Sequence, residues 1–565
     1  MKKLRWQLII ILLTGVVVGA LLLMEQPEVK TFLPQPQQGG KYTEALIGSL
    51  QRLNPVLDFY NAPDRDIDRL IYSSLLRFDE RGIPQVDLAE SWGMTQDGTI
   101  YTVTLRKGLK WHDGQPLTVA DVIFTIDLIK EGGDYVPKDL QDFWAQVEIK
   151  QLNDTTMQFK LPESFAPFPD HLTFGVLPQH LLADQTFADI SNSQFNLQPV
   201  GSGPFKFDHL IIENNKITGL VLSANGDYYG KKPYLDQMIF HYYADGPAAL
   251  QAYQSGSVEG ISKITPDILQ KALALPDLSI YSGRKPELTM IMFNLNNPQL
   301  AFLKDKIVRQ ALMKGLNRQW IVDRILGGQA IVADGPIMPD TWAYYNGIDH
   351  VNYDADGANM MLKSAGYVVT TSADGTVRQK DKVPLAFHLL YPNDEQHKTI
   401  AESIQKNWTQ LNVKVDLEAV PYNDLINSRL QDRQFEAALV DINMSRSPDP
   451  DPYPMWDQAQ ATGGQNYTQW DNRVASEFIE QARVTVKLDE RARLYRNFQV
   501  IFTQEIPAIP LYYPVYSYGV DRQLQGVRMG PLFDSSDRFA TVLDWFISTK
   551  RTTAKPTPTG ASAVQ

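Results

Sequence analysis

The sequence contains no cysteine, which excludes disulfides, thiolate metal sites, cysteine nucleophiles and a lipidated N-terminal cysteine. Positive charge is also in deficit: 53 Lys and Arg face 65 Asp and Glu, a net charge of −12. Nucleic-acid binding needs a concentrated basic face, and this chain offers none. The eight histidines never fall at HxxxH or HExxH spacing, so the common zinc patterns are missing. No G-x-S-x-G elbow is present, and the one GSG stretch (Gly201 to Gly203) lacks the Lys-Ser/Thr of a phosphate-binding loop. No internal repeat is found.

What is present describes a large globular protein. At 565 residues, 43% hydrophobic and 21% charged, the chain exceeds one ordinary core and predicts two to four domains or lobes. Lys2, Lys3 and Arg5 precede an apolar run from Leu8 to Met24, so export is expected, with the remaining chain outside the cytoplasm. As a helix that run spans roughly 25 Å, close to a bilayer core of about 30 Å. No A-x-A site follows Met24, which favours a retained anchor over a cleaved signal. Residues 25–41, rich in Pro, Gln and Gly, read as a flexible tether, and the tail from Lys550 as disordered.

The central stretch runs from Leu88 to Lys130. Asp97-Gly98 is a turn, and Tyr101, Val103 and Leu105 alternate with polar residues as in a half-buried strand. Asp113-Gly114 makes a second turn. Thr118 and Asp121 have capping-box spacing before a helix with Val119, Val122, Ile123, Ile126 and Ile129 on its apolar face. Ile67, Leu70, Ile71 and Leu75 predict a helix over 66–76. Met290 to Asn296 predicts a strand. After it come a strand at 385–389, a helix on Ile400, Ile404, Trp408 and Leu411, a strand at 413–417, a helix over 422–430 and a buried strand at 437–440. That β-α-β-α-β order predicts a largely parallel sheet.

The run LAESW–DG–YTVTLRKGLKWHDGQPLTVADV closely resembles the hallmark segment of the extracytoplasmic solute-binding proteins that serve peptide-type ABC importers, the dipeptide/oligopeptide-binding family. VGSGPFKFD, ANGDYYGKKPYLDQMIFHYY, KDKIVRQALMKGLNRQWIVDRILGG and DPDPYPMW are similar to family segments too. The resemblance spans Tyr42 to about Ser548. It implies an α/β, two-lobe periplasmic-binding-protein-like fold of the large peptide-binding class, with an extra α+β domain inserted in lobe one. The expected division is an anchor at 1–24, a linker at 25–41, lobe one at 42–76, 200–290 and 505–548, the insert at 77–199, lobe two at 291–504 and a tail at 549–565.

The resemblance also implies a protein that captures a solute between closing lobes for permease subunits, as a monomer, with neither cofactor nor metal. Hinge-side crossings are expected at Ile506 to Val520 and at Phe293-Asn294. The Pro-stiffened loop Ser445 to Trp470 resembles the family's binding-loop region, and it carries Asp449, Asp451 and Asp457, a set that could also hold a hard cation. Expected ligand contacts are Asn294, Trp342, Met444, Arg446, Asp449, Asp451, Trp456, Tyr467, Tyr512 and Tyr513. Members that bind free peptides often carry an Asp shortly before the loop's DP to pair with the peptide α-amine. Here that place falls on Arg446 or Ser447, with Asp441 and Asp449 the nearest acids. A guanidinium there would favour a carboxylate, and the loop aromatics would suit sugars. Oligopeptide and oligosaccharide therefore both remain open as ligands. A sensory receptor without a transporter, or a membrane-anchored hydrolase, are the readings from other classes.

Overall fold

The computed structural model describes residues 32–372, 375–547 and 549–553. The expected anchor at Leu8 to Met24 lies outside them. Among the described residues no helix is long and apolar enough to cross a membrane.

Apolar side chains gather into two large cores. One runs from Tyr42 to Phe240 and resumes at Tyr516 to Trp545. The other runs from Leu288 to Tyr513 and includes Phe533. These are lobe one and lobe two. A smaller cluster of lobe one packs the helices Gly246–Gln254 and Pro266–Leu273 beneath the sheet. The stretch expected as a separate insert keeps its own four-stranded sheet, yet its apolar side chains join the lobe-one core. Within it, Ala89–Met94 and Ile100–Leu105 form the expected antiparallel hairpin, turning at Gly98 with φ +67°. Tyr101, Val103 and Leu105 are buried. The Asp121 carboxylate accepts the Thr118 N–H at 2.8 Å, opening the helix Val119–Lys130.

One 12-stranded sheet threads both lobes. In lobe two, Ala386–Pro392 lies between Lys414–Val420 and Ala437–Asn443 and is parallel to both. The crossover helix Glu395–Thr409 buries Ile400, Ile404 and Trp408, as the 3.6-residue spacing requires. Glu287–Phe293 then pairs antiparallel on either side, so the sheet is mixed. A parallel order holds only where a helix carries the chain back to the starting edge.

The lobes are joined side by side. The 14-residue strand Ala508–Asp521 pairs with Glu287–Phe293 through residues 508–512 and with Leu278–Arg284 through 515–521. Between these ladders sit Lys285-Pro286 and Tyr513-Pro514, with the Lys285 N–H donating to the Pro514 carbonyl at 2.9 Å. Proline fixes φ and removes a ladder donor, and there the long strand pairs instead with Ala330–Val332 on its edge. This corrects the expected crossing at Phe293-Asn294. Those residues end the strand that begins at Glu287, about 20 Å from the crossing at 3.3 Å per residue.

Three further expectations are revised. The first helix spans Ala62–Ile71 rather than 66–76, because Pro63 opens it and Tyr72 leaves it extended. Part of the supposed tether, Phe32–Pro36, pairs antiparallel with Thr549–Thr553 of the supposed disordered tail. The rest of both stretches is either loop or outside the described residues.

Candidate functional site in the seam between the lobes

The three parallel strands of lobe two end at Pro392, Val420 and Asn443, on the same side as Glu287 and the crossing. Open α/β sheets place ligand crevices at the carboxyl ends of their strands, and here that edge faces lobe one.

A fixed charge cluster sits on this edge. Asp394 caps the helix Glu395–Thr409, accepting the His397 N–H at 2.9 Å. His397 Nδ1 lies 2.6 Å from Asp394 Oδ2, and Nε2 lies 3.0 Å from Asp441 Oδ2. Thr289 Oγ1 donates to the other Asp441 oxygen at 2.5 Å. Burial disfavours charge on the ring, but Asp441 and then Asp394 outweigh it, and the imidazole pKa is raised. Burial likewise opposes charge on Asp441, and the bonds from His397 and Thr289 outweigh it, so its pKa is lowered. Both shifts favour the charged pair over neutral partners. Tyr512, the register partner of Thr289, is buried beside it.

The loop after Ala437–Asn443 follows the seam. The Met444 N–H donates to the Pro286 carbonyl and the Arg446 N–H to the Phe533 carbonyl, each at 2.7 Å. Arg446 has φ +64°, and its Nη2 donates to Asp58 Oδ1 of lobe one at 2.8 Å. Three residues on, the Asp449 N–H donates to Asp170 Oδ2 at 2.9 Å. The Asp449 carboxylate meets Arg491 Nη1 at 2.6 Å and accepts from the Tyr495 hydroxyl at 3.2 Å. Asp451 pairs with Arg483 at 3.2 Å, and burial, working against Arg483, pushes its pKa up to about 6. Trp342 lies under the Arg491 guanidinium, 5.0 Å from carbon to ring centre, and its backbone N–H donates to the Arg81 carbonyl at 2.9 Å.

Trp342, Met444, Arg446, Asp449, Asp451 and Tyr512 are thus gathered along one edge. Tyr513 stands in the crossing itself, its hydroxyl donating to the Gly335 and Ile337 carbonyls at 2.7 and 3.0 Å.

The remaining expected contacts lie elsewhere. Trp456 is 2% exposed and packs edge-on against Phe502 and Trp470 in the lobe-two core. Tyr467 stacks under Arg433, whose carbonyl accepts from the Asn294 side chain at 3.0 Å. Asn294 and Tyr467 therefore belong to the far end of the sheet. An amide there serves the backbone, and a large ring follows the core. The carboxylates weighed as a cation site are dispersed: Asp449 to Arg491, Asp451 to Arg483, and Asp457 to the helix N-cap, accepting from Ala459 N–H at 2.8 Å. Among the described residues no group of three His, Asp or Glu could hold a metal ion.

Neither acid flanking Arg446 is free: Asp441 is taken by His397 and Asp449 by Arg491. Two lysines are more available. Lys285 pairs with Glu287 at 3.0 Å. Lys263, from the lobe-one side, is exposed, yet desolvation and then the charge of Lys285 lower its pKa.

Sequence reasoning missed His397, Asp58 and Lys263. Asp394 and His397, three apart after a strand, were a readable local signal. Their partner Asp441 lies 44 residues beyond His397, which no spacing rule covers.

Comparison with known proteins identifies the family. The profile described as bacterial extracellular solute-binding proteins, family 5, middle part, matches residues 84–465. The oligopeptide-binding protein AppA of Bacillus subtilis is 28% identical over 508 residues, covering 88% of this chain and 91% of AppA. The dipeptide-binding protein of Escherichia coli is 26% identical, covering 86% and 91%. The solved structure of AppA with a nonapeptide superposes with a TM-score of 0.65 at 27% identity, over 91% of this chain and 100% of that one. NikZ from Campylobacter jejuni in complex with Ni(L-His) gives 0.66 at 25% identity, over 90% and 99%. The chain belongs to the family 5 bacterial extracellular solute-binding proteins.

Proposed function

We propose that this protein captures a peptide outside the cytoplasm between its two lobes and delivers it to the permease of an ABC importer. The observation that carries the reading is the crossing. Two proline-interrupted strands join the lobes beside a polar seam, in a chain related over most of its length to oligopeptide- and dipeptide-binding proteins.

The mechanism follows from that arrangement. The lobes move about Lys285-Pro286 and Tyr513-Pro514. A ligand bridging both faces stabilises the closed form by its differential affinity for that form. Backbone groups of a peptide meet the strand ends and the loop at 444–451, while Lys263 and Lys285 offer positive charge near the crossing. No covalent step is involved, and the ligand leaves unchanged. Capture of sugars by stacking has little support, since Trp456 and Trp470 are packed into the core. The run Leu8 to Met24 would hold the protein, as a monomer, at the membrane.

The test is to purify the full chain in detergent, denature it and identify released small molecules by mass spectrometry. A ladder of peptides is the expected result. Release of oligosaccharides, or of reaction products formed from an added peptide, would overturn the proposal.

A further inference from the structure

Lobe one gathers seven carboxylates, with Glu44, Asp58, Asp64, Asp66 and Asp68 buried and Asp534 and Asp537 half-buried. Its own groups answer most of them. Arg538 holds Glu44 at 2.8 Å and Asp66 at 2.6 Å. Arg65 holds Asp534 at 3.0 Å, and Arg69 reaches Asp537 at 3.5 Å. Asp64 accepts the backbone N–H groups of Gln51 and Arg52 at 3.0 and 2.8 Å.

Two acids are left over. Neither oxygen of the buried Asp68 meets a donor from a cation, and burial together with the adjacent Asp58 and Asp64 pushes its pKa well up. The Asp58 carboxylate, equally buried, takes its direct hydrogen bond from Arg446 of lobe two, with Arg65 and Asp534 as neighbouring charges. The guanidinium also lies 4.4 Å from the Phe59 ring centre and 3.9 Å from Asp534. Arg446 holds this position from a left-handed backbone, a conformation that disfavours side chains and that glycine would adopt without strain.

We propose that Arg446 is a positioning residue, an interlobe latch that completes the charge balance of lobe one and holds the lobes together without ligand. Opening withdraws the guanidinium and leaves Asp58 beside Asp68 with no direct cationic partner. That cost sets how much of the unliganded protein is closed, and any ligand's apparent affinity scales with that fraction. The proposal rests on the solute-capture reading for its purpose, but not for its test.

Because the chain has no cysteine, Lys232→Cys and Lys406→Cys give clean labelling positions, both exposed and one in each lobe. Interlobe distance is then read by single-molecule energy transfer on the unliganded full chain. Arg446→Gly preserves the backbone and removes the side chain, and Asp58→Asn removes the acceptor's charge. Each is expected to shift the population toward longer distances, changing the open-to-closed ratio about fivefold, and the double variant should add little to either. Identical distance distributions in parent and both variants, or full additivity in the double variant, would overturn the latch. Failure of the capture reading shows separately, as an absence of released solute on denaturation.

Discussion

The two halves of one loop behave differently. Residues 444–451 and 453–470 belong to one proline-bearing loop, the first carrying Arg446, Asp449 and Asp451 and the second Tyr453, Trp456, Tyr467 and Trp470. The first half reaches Asp58 and Asp170 of lobe one and Pro286 of the crossing, while its acids also pair with Arg491 and Arg483 of lobe two. The second turns inward, and Trp456 and Trp470 fill lobe two against Phe498 and Phe502. Where a charge can reach a partner on another lobe, the chain becomes interface. Where a large ring can reach a void in its own lobe, it becomes core.

Three substitutions would break or sharpen that contrast. The largest effect is expected from Trp456→Ala, which empties a fully enclosed ring site and should cost about 3–5 kcal/mol by denaturant unfolding. Interlobe distance should not respond. If stability hardly changes, the inward half of the loop is not core.

Next, Asp449→Ala strands Arg491, which is only 4% exposed. Breaking a buried ion pair from one side costs about 3 kcal/mol or more, and the loss should extend to the contact with Asp170. Amide exchange at 165–171 and at 449–453 would rise together, whereas exchange confined to lobe two would place the pair inside that lobe alone.

The smallest effect is expected from His397→Gln, about 2 kcal/mol for a charged hydrogen-bond pair. It carries a pH signature. The folded imidazole pKa is raised above its unfolded value of about 6.5, so its contribution is fully present below about pH 6.5. It fades as pH rises through the higher folded value. Asp441 behaves oppositely, losing its contribution only as pH falls through its lowered pKa. Urea midpoints of parent and variant should therefore converge on the alkaline side. A constant gap from pH 5 to pH 9 would refute a charged ring.

Much of the fold was legible in local pattern. The hairpin at Gly98, the helix opened by Thr118 and Asp121, and the alternating strands and helices from 385 to 440 each follow from periodicity and turn chemistry, and the structure contains them. The mixed sheet was not legible, because strand direction at Glu287–Phe293 depends on partners about 150 and 220 residues away. The site was legible in part. The loop at 444–451 was found from its prolines and acids, but Asn294, Trp456 and Tyr467 were assigned by residue type and lie elsewhere. A buried ring and a ligand-facing ring look alike until packing separates them.

By itself the sequence determined the local elements, the acidic and cysteine-free character of the chain, and the family, since periodicity, capping and turn residues act over a few positions. Only the tertiary structure decided which charges meet. Arg446 and Asp58 stand 388 positions apart, and an ion pair depends on distance through space and on exclusion of water, neither of which is written along the chain.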